Sequence, residues 1–375
     1  MVSGVRRRVD SNLLAVQPPP VAALPEGIKR PRWSVMFPVF NCANYLREAL
    51  QSVLRQDPGE NEMQIEVIDN CSTKDDPEAV VWELGRGRVQ FHRQPQNIGP
   101  IRNFNTCIDR ARGEWVHILH GDDMVETGFY SRAWNGLSVG REVGAALCRV
   151  MHIDENGRPA YYGRHKHLSE LEEPRVTTLG PDFVEQLFVN QRIQFAGMVV
   201  RRSTYELVGG FRPELVHCSD WDMWIRIALA THILYEPKSY AYFRIHSGAD
   251  SAAQIRSGQD VVDKRRAIML ASTYVPPRQA RQHYKCAMKA ASIEAIARAR
   301  RLWRTRDRLA ALRQLQEALR CSVSPSVVFR LAHFWVFALA KGDREGYAFA
   351  NDGDDTPALG HEQLSGGVKD RQPQA

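Results

Sequence analysis

The chain has 375 residues, 43% hydrophobic and 25% charged, with a formal charge of +7 and a pI of about 9.1. These values exclude collagen-like, low-complexity and membrane-bundle proteins and describe a soluble globular chain of one large or two ordinary domains. The basic excess suits polyanionic ligands or an acidic membrane surface and does not single out nucleic acid. Seven cysteines stand far apart with no Cys-x-x-Cys, so neither a disulfide frame nor a structural zinc is indicated. No apolar core follows Arg6–Arg8 as a secretory signal would require. The longest apolar stretch, Val327–Ala340, is broken by Arg330 and His333 and is too short to span a bilayer. A reduced, cytoplasmic protein is expected.

In chain order, residues 1–31 carry Pro18–Pro20, Pro25 and Pro31 and no period, and read as a disordered extension. Short apolar runs then recur at Ser34–Phe37, Ile65–Ile68, Val89–Phe91, Trp115–Leu119 and Gly144–Val150. Helical patterns lie between the early ones. Leu46, Ala49, Leu50, Val53 and Leu54 share one face, with Asn44 suited to the N-cap. Asp76 and Pro77 fit N-cap and N1 of a second helix that stops at Gly85, and Ile101, Phe104, Ile108 and Ala111 form a third stripe ending at Gly113. This alternation predicts a parallel sheet with helices on both faces. Ile193–Val200 is strand-like, Tyr205–Gly210 reads as a turn, Trp221–Ala230 as a helix, and His232–Ile245 as one or two strands. Residues 251–345 read as helical, and 346–375 as a polar, Gly-rich, disordered tail.

In an open α/β sheet, ligands bind beyond the carboxyl ends of the strands. After the first strand comes Pro38-Val-Phe-Asn41, after the second Asp69-Asn-Cys-Ser72, and after the fourth His120-Gly-Asp-Asp123. Adjacent carboxylates repel each other, and a cation bridging them to a diphosphate relieves that repulsion. The competing reading is that acidic residues in such loops cap helices. Ser219-Asp-Trp-Asp222 likewise resembles a helix start, with Ser219 as cap and two acids in the first turn.

Residues 33–250 resemble glycosyltransferase family 2, whose fold is the GT-A fold. The resemblance rests on an ordered set: Pro38-x-Phe-Asn41, Val67-Ile-Asp-Asn-Cys-Ser72, Asn97-Ile-Gly-Pro-x-Arg102-Asn-x-Asn105, Gly113-Glu-Trp, Gly121-Asp-Asp123, Gly209-Gly-Phe211, Ser219-Asp-Trp-Asp222-x-Trp224 and Arg244-Ile-His246. It implies a Rossmann-like, mostly parallel sheet with flanking helices over residues 32–250, followed by a C-terminal helical extension. It implies an inverting transfer of a sugar from a nucleoside-diphosphate sugar to a hydroxyl of a glycan or lipid-linked acceptor, in cell-surface polysaccharide synthesis. Asp220 takes the place of the catalytic base. Pro38, Phe40, Asn41, Asp69, Asn97, Arg102 and Asp122 fall on the donor side, Asp69 toward the nucleobase and the asparagines near Arg102 beside it. Asp122 and Asp123 take the place of the metal-binding acids, with His246 and His120 as further candidate ligands of a divalent cation, Mn2+ or Mg2+. His120 is a departure, because many relatives carry Asp there; an imidazole suits manganese better than magnesium.

Residues 298–320 hold eight arginines against Asp307 and Glu317, with Leu302, Leu309, Leu312, Leu315 and Leu319 on an apolar face. Such a basic amphipathic helix either lies on anionic lipid at the inner face of the membrane or docks its leucines on the catalytic domain. No nucleic-acid partner is expected. The alternatives are a nucleotidyltransferase, disfavoured because no Gly-rich basic loop follows Phe37, and a catalytically inactive nucleotide-sugar-binding relative.

Overall fold

A computed structural model describes residues 17–27, 29–131, 143–162, 177–179, 181–246, 248 and 250–340. The expected tail at 346–375 lies outside them. Strand β1 (Trp33–Val39) is buried along its whole length. It runs parallel to β2 (Met63–Asp69) on one side and β4 (Trp115–Ile118) on the other, and β2 is parallel to β3 (Gln90–Arg93). Alternate side chains of β1 serve two cores, as the pleat requires. Val35, Phe37 and Val39 join α1 (Ala43–Leu54) and α2 (Pro77–Gly85) on one face, while Met36 joins α3 (Pro100–Arg110) on the other.

Beyond β4 the sheet becomes mixed. Its order is β3-β2-β1-β4-β9-β6-β10-β5, with β5 (Met124–Val125), β6 (Val143–Ile153), β9 (Met198–Arg201) and β10 (His232–Arg244). Strand β9 is antiparallel to both β4 and β6, whereas β10 runs parallel to β6. The short strands β5, β7 (Pro159–Tyr162) and β8 (Thr177–Leu179) carry too few residues for a legible period. The expected turn at Tyr205–Gly210 is instead the end of helix α5 (Arg202–Val208), which follows α4 (Pro181–Val189).

Two N-caps illustrate what local sequence decides. Asp76 caps α2, accepting from Ala79 N at 3.1 Å, as its position before Pro77 predicts. Helix α1 begins one residue before the expected cap Asn44, and its first amide, Ala43 N, donates to Asp75 Oδ2 at 2.8 Å. That cap comes from 32 residues away and is invisible to local reading.

The proline-rich N-terminus is docked over its described part, which corrects the expectation of disorder there. Val21 is buried in the core. Gly210 N donates to Pro19 O at 2.7 Å, and the Arg202 guanidinium donates to Ala22 O at 3.0 Å. Gly209 sits at φ 82, where a Cβ would lie 2.9 Å from Pro19 O, so the strap and the Gly-Gly pair fit each other.

The C-terminal part is helical: α7 (Asp250–Ser257), α8 (Gln259–Ala271), α9 (Pro277–Arg304), α10 (Arg308–Cys321) and α11 (Pro325–Ala340). The arginine-rich stretch is therefore two helices and not one. Arg306 takes a left-handed turn at φ 63, and Asp307 caps α10 by accepting from Ala310 N at 3.2 Å. Among the described residues, no helix is long and apolar enough to cross a membrane.

Candidate active site

The loops after β1, β2 and β3 are laced into one rim. Asn41, in left-handed backbone at φ 52, accepts at Oδ1 from Thr73 N (2.8 Å) and Lys74 N (2.9 Å). Its own amide donates to Ser72 Oγ at 2.8 Å. Asn70 Nδ2 donates to Asn97 Oδ1 at 3.0 Å, and Ile98 N donates back to Asn70 Oδ1 at 2.9 Å. Phe40 projects from this rim, 39% exposed, whereas Pro38 is buried within β1.

Asp69 lies fully buried beneath the rim. It accepts from Ser72 N (3.0 Å) and Ser72 Oγ (2.6 Å) at Oδ1, and from Arg93 Nε (2.7 Å) at Oδ2. With both oxygens engaged, Asp69 holds the loop that follows it, a structural task beyond the nucleobase contact expected of it. The asparagines beside Arg102 also depart from expectation. Asn103 is buried and donates to Ile68 O at 2.9 Å. Asn105 clamps the Gly-Gly-Phe loop, accepting from Phe211 N (2.7 Å) and donating to Phe211 O (2.8 Å). Arg102 itself is exposed in the first turn of α3.

The acidic loop is compact. Gly121 allows its approach to the β1 loop, for a Cβ there would stand 2.7 Å from Val39 and 2.8 Å from Cys42 Sγ. Ligand atoms of His120, Asp122 and Asp123 all lie within 4.8 Å of one another. Arg244, buried at the end of β10, holds this loop: its amide donates to Asp123 Oδ1 and its Nε to Asp122 O, both at 3.0 Å. Its guanidinium also reaches Glu48 at 2.7 Å and lies over Tyr45. The motif containing His246 thus contributes Arg244 as its main structural anchor, which the sequence reading passed over.

His246 Nε2 stands 3.0 Å from Asp122 Oδ2, beside the cluster of His120, Asp122 and Asp123. Burial raises Asp122, but the His246 hydrogen bond and the nearby His120 outweigh it and leave this carboxyl below its usual range. Burial and the Asp122 charge push Asp123 well above. Its Oδ2 is buried without a hydrogen bond among the described residues. A buried carboxylate oxygen beside a second acid and an imidazole is a donor set that fits a divalent cation.

Asp220 opens helix α6 (Ser219–Ala230). Ser219 does not cap it; the N-cap position is Cys218, which makes no side-chain cap bond. The two acids of Ser219-Asp-Trp-Asp222 part company. Asp222 is buried, accepting from Arg226 Nε (2.9 Å) and Tyr274 OH (2.5 Å), and serves packing. Asp220 is half-buried, accepting from Trp221 N (2.7 Å) and from Gln191 Nε2 (2.5 Å). Burial lifts it to about 7 against those hydrogen bonds. Gln191 was missed by sequence reasoning; the polar run Asn190-Gln191-Arg192 between a helix and a strand was its only signal.

An aromatic bridge links the acidic loop to α6. His120 stacks on Phe104 at 5.0 Å and contacts Phe195 at 4.6 Å, and Phe195 meets Trp224 at 5.3 Å. Phe211 fills the angle, 5.4 Å from Phe195 and 6.1 Å from Trp224. These rings join His120 of the acidic loop to Trp224 of the helix that carries Asp220.

Comparison with known proteins agrees with this layout. The family model described as glycosyl transferase family 2 matches residues 34–205. An uncharacterised protein of Mycobacterium tuberculosis is 27% identical over 248 residues, covering 64% of this chain and 75% of that protein. An uncharacterised glycosyltransferase of Rickettsia typhi is 22% identical over 217 residues, covering 58% of this chain and 64% of its own length. Among solved structures, a mannosyltransferase of Pyrobaculum calidifontis in complex with GDP-Man and Mn2+ superposes with a TM-score of 0.51 at 20% identity, covering 88% of this chain and 86% of that one. The strand order, the helical flanks and this likeness are those of the GT-A fold. The chain resembles glycosyltransferase family 2 over residues 34–205, a matched region that runs from β1 into α5.

Proposed function

We propose that this enzyme transfers a glycosyl group from a nucleoside-diphosphate sugar to a hydroxyl of a glycan or lipid-linked saccharide, inverting the anomeric carbon and using a divalent cation. The observation that carries the reading is the pairing, across one aromatic bridge, of a cation-competent acid set with a carboxyl poised near neutrality. The mannosyltransferase with the same fold was solved with GDP-Man and Mn2+, which supports the donor class and the ion. We assign cell-surface polysaccharide synthesis as the setting. The catalytic unit is read as running from the N-terminal strap past residue 250, because α8 supports Asp220 from behind.

Asp123, Asp122 and His120 would hold the cation, with His246 orienting Asp122. When bound, the cation supplies charge neutralisation for the departing diphosphate. The rim built by Asn41, Asn70 and Asn97 bounds the donor side, and Phe40 and Arg102 are exposed. Asp220 takes the acceptor hydroxyl proton as that oxygen attacks. Gln191 fixes the carboxylate: its Nε2 donates to Oδ2, while its Oε1 is held by Ile193 N at 3.0 Å. Asp222 is tied up by Arg226 and Tyr274, so Asp220 is the acid of this motif left for chemistry, and a single such base is the arrangement we read as direct displacement.

The deciding experiment is Asp220→Asn with product analysis. Turnover should fall about 10²–10⁴-fold with donor binding retained, the usual range for a general base. Proton NMR of the wild-type product should show the inverted anomer. Retention of configuration would refute the direct displacement.

A further inference from the structure

The chain exposes large apolar side chains unevenly. Leu309, Leu312, Leu319, Val323, Val328, Phe329, Trp335 and Val336 are 61%, 43%, 45%, 69%, 52%, 72%, 45% and 65% exposed. They make up most of the large apolar side chains exposed among the described residues, within a short span of chain. On α10, Leu309, Leu312 and Leu319 share one face at helical spacing. On α11, Val328, Phe329, Trp335 and Val336 do the same. The opposite faces are already used, with Ala311, Leu315 and Ala318 of α10 and Val327, Phe334 and Ala338 of α11 packed with Ile293 and Ile296 of α9. Docking on the catalytic domain therefore does not account for the outer leucines.

The charge around these faces has one sign. Residues 300–340 contain eight arginines and two acids, Asp307 and Glu317. Neither acid faces outward unpaired: Asp307 caps α10, and Glu317 is buried against Arg265 and Arg320. Arg301, Arg304, Arg306, Arg313 and Arg320 are exposed. Arg300 and Arg304 lie over the Phe337 ring at 5.6 and 5.3 Å, which aligns cations with the aromatic edge of α11. Arg298, by contrast, is spent in a buried cluster with Asp260 and Glu294.

We infer that the outer faces of α10 and α11 seat the protein on an anionic lipid bilayer. The leucines, Phe329 and Trp335 enter the headgroup–acyl boundary, and the arginines meet lipid phosphates. Exposed aliphatic and aromatic side chains fringed by cations without free acids match an interfacial helix pair. A second copy of this chain would bring the same positive fringe against itself, which disfavours self-association. The inference rests on α9–α11 alone and stands whether or not Asp220 is the base.

The test is co-sedimentation of the full chain with vesicles of phosphatidylcholine alone and of an equal mixture with phosphatidylglycerol. Two variants accompany it, Phe329→Ser/Trp335→Ser and Arg301→Gln/Arg306→Gln/Arg313→Gln; all five side chains are at the surface, so unchanged melting temperature shows that the fold is kept. Partition to the anionic vesicles should exceed that to neutral ones about ten-fold, fall with added salt, and drop about ten-fold in each variant. Equal partition to both vesicles would overturn the inference, as would wild-type binding by either variant. Dimers in sedimentation velocity that the serine variant abolishes, without lipid binding, would assign the surface to a second copy. Lipid binding seen only after deletion of residues 341–375 would assign it to the chain's own tail. Tighter binding to a polynucleotide than to anionic vesicles would assign it to nucleic acid.

Discussion

Asp263 of α8 accepts the Cys218 amide at 2.8 Å and the His217 amide at 2.7 Å, both through Oδ2, and so supports the turn that delivers Asp220. Asp263 is 1% exposed, and around it Lys264 pairs with Glu294 and Arg298 with Asp260 and Glu294. The C-terminal helices therefore reach Asp220 through a backbone turn. Asp263→Ala should lower kcat about ten-fold with KM for donor nearly unchanged, since two buried amides lose their acceptor. Asp263→Asn, which keeps an acceptor oxygen, should recover most of it. Because the Asp263 charge also pushes Asp220 upward, both variants should move the acid limb of the pH profile to lower pH, which a purely structural loss would not do.

Asp220 should govern that limb. Burial sets it at about 7, so kcat/KM should rise through neutrality to a plateau. Stability should run the other way. A carboxyl whose folded pKa exceeds its unfolded value stabilises the fold while protonated, and this is lost as pH rises through the folded value. Asp220→Asn should therefore melt above wild type, with a gap that opens from about pH 4 and is complete above about pH 7. Differential scanning calorimetry across pH checks this, and a gap independent of pH would contradict it.

Chelation should abolish transfer. Asp123→Ala should lose at least ~10²-fold in turnover together with donor affinity, because the carboxyl with the unsatisfied buried oxygen is removed. His246→Ala should weaken metal affinity about 10–100-fold, the usual loss for a group that orients a ligand. His120→Ala should shift preference from manganese toward magnesium. Titration with Mn2+ followed by electron paramagnetic resonance reads each effect without turnover.

The N-terminal strap should matter to both fold and activity. Deleting residues 1–24 removes the carbonyls that Gly210 and Arg202 use, and Val21 from the core. Melting temperature and kcat should both fall. Gly209→Ala, strained at φ 82 and crowded by Pro19 O, should destabilise by ~1–3 kcal/mol. A truncated enzyme with wild-type melting and turnover would remove the strap from the catalytic unit.

Much of the parallel half of the sheet was legible, because β1, β2 and β4 are buried along their length and read as short, mostly apolar runs, interrupted as at Ser34, Glu66 and His117. Asp76 was legible because its cap is local. The site was half legible. The acid pair and Asp220 stand at ordered motif positions; the structure groups Asp122 and Asp123 with His120 and leaves Asp220 half-buried with its carboxyl lifted to about 7. The functions of Gln191, Arg244 and Asp263 depend on partners 29, 121 and 45 residues away, and no local spacing reports that. Asp69 and Asn105 are the opposite case. Their motif positions suggest ligand contact, yet their polar atoms are consumed by neighbouring backbone and side chains. The strap was misread because prolines signal loss of helix, and a docked extended segment loses helix in the same way.

Arg244 meets a carboxylate that left the ribosome 121 residues before it. At ordinary elongation rates, roughly 6–24 s separate the two. During that interval β5 lacks β10, its pairing partner in the finished sheet, and Asp123 lacks the amide that later holds it. The nascent chain thus carries the parallel strands and two adjacent acids before anything can bind between them. A polypeptide released before residue 244 would keep the fold's most recognisable half and leave Asp123 without the amide that anchors it.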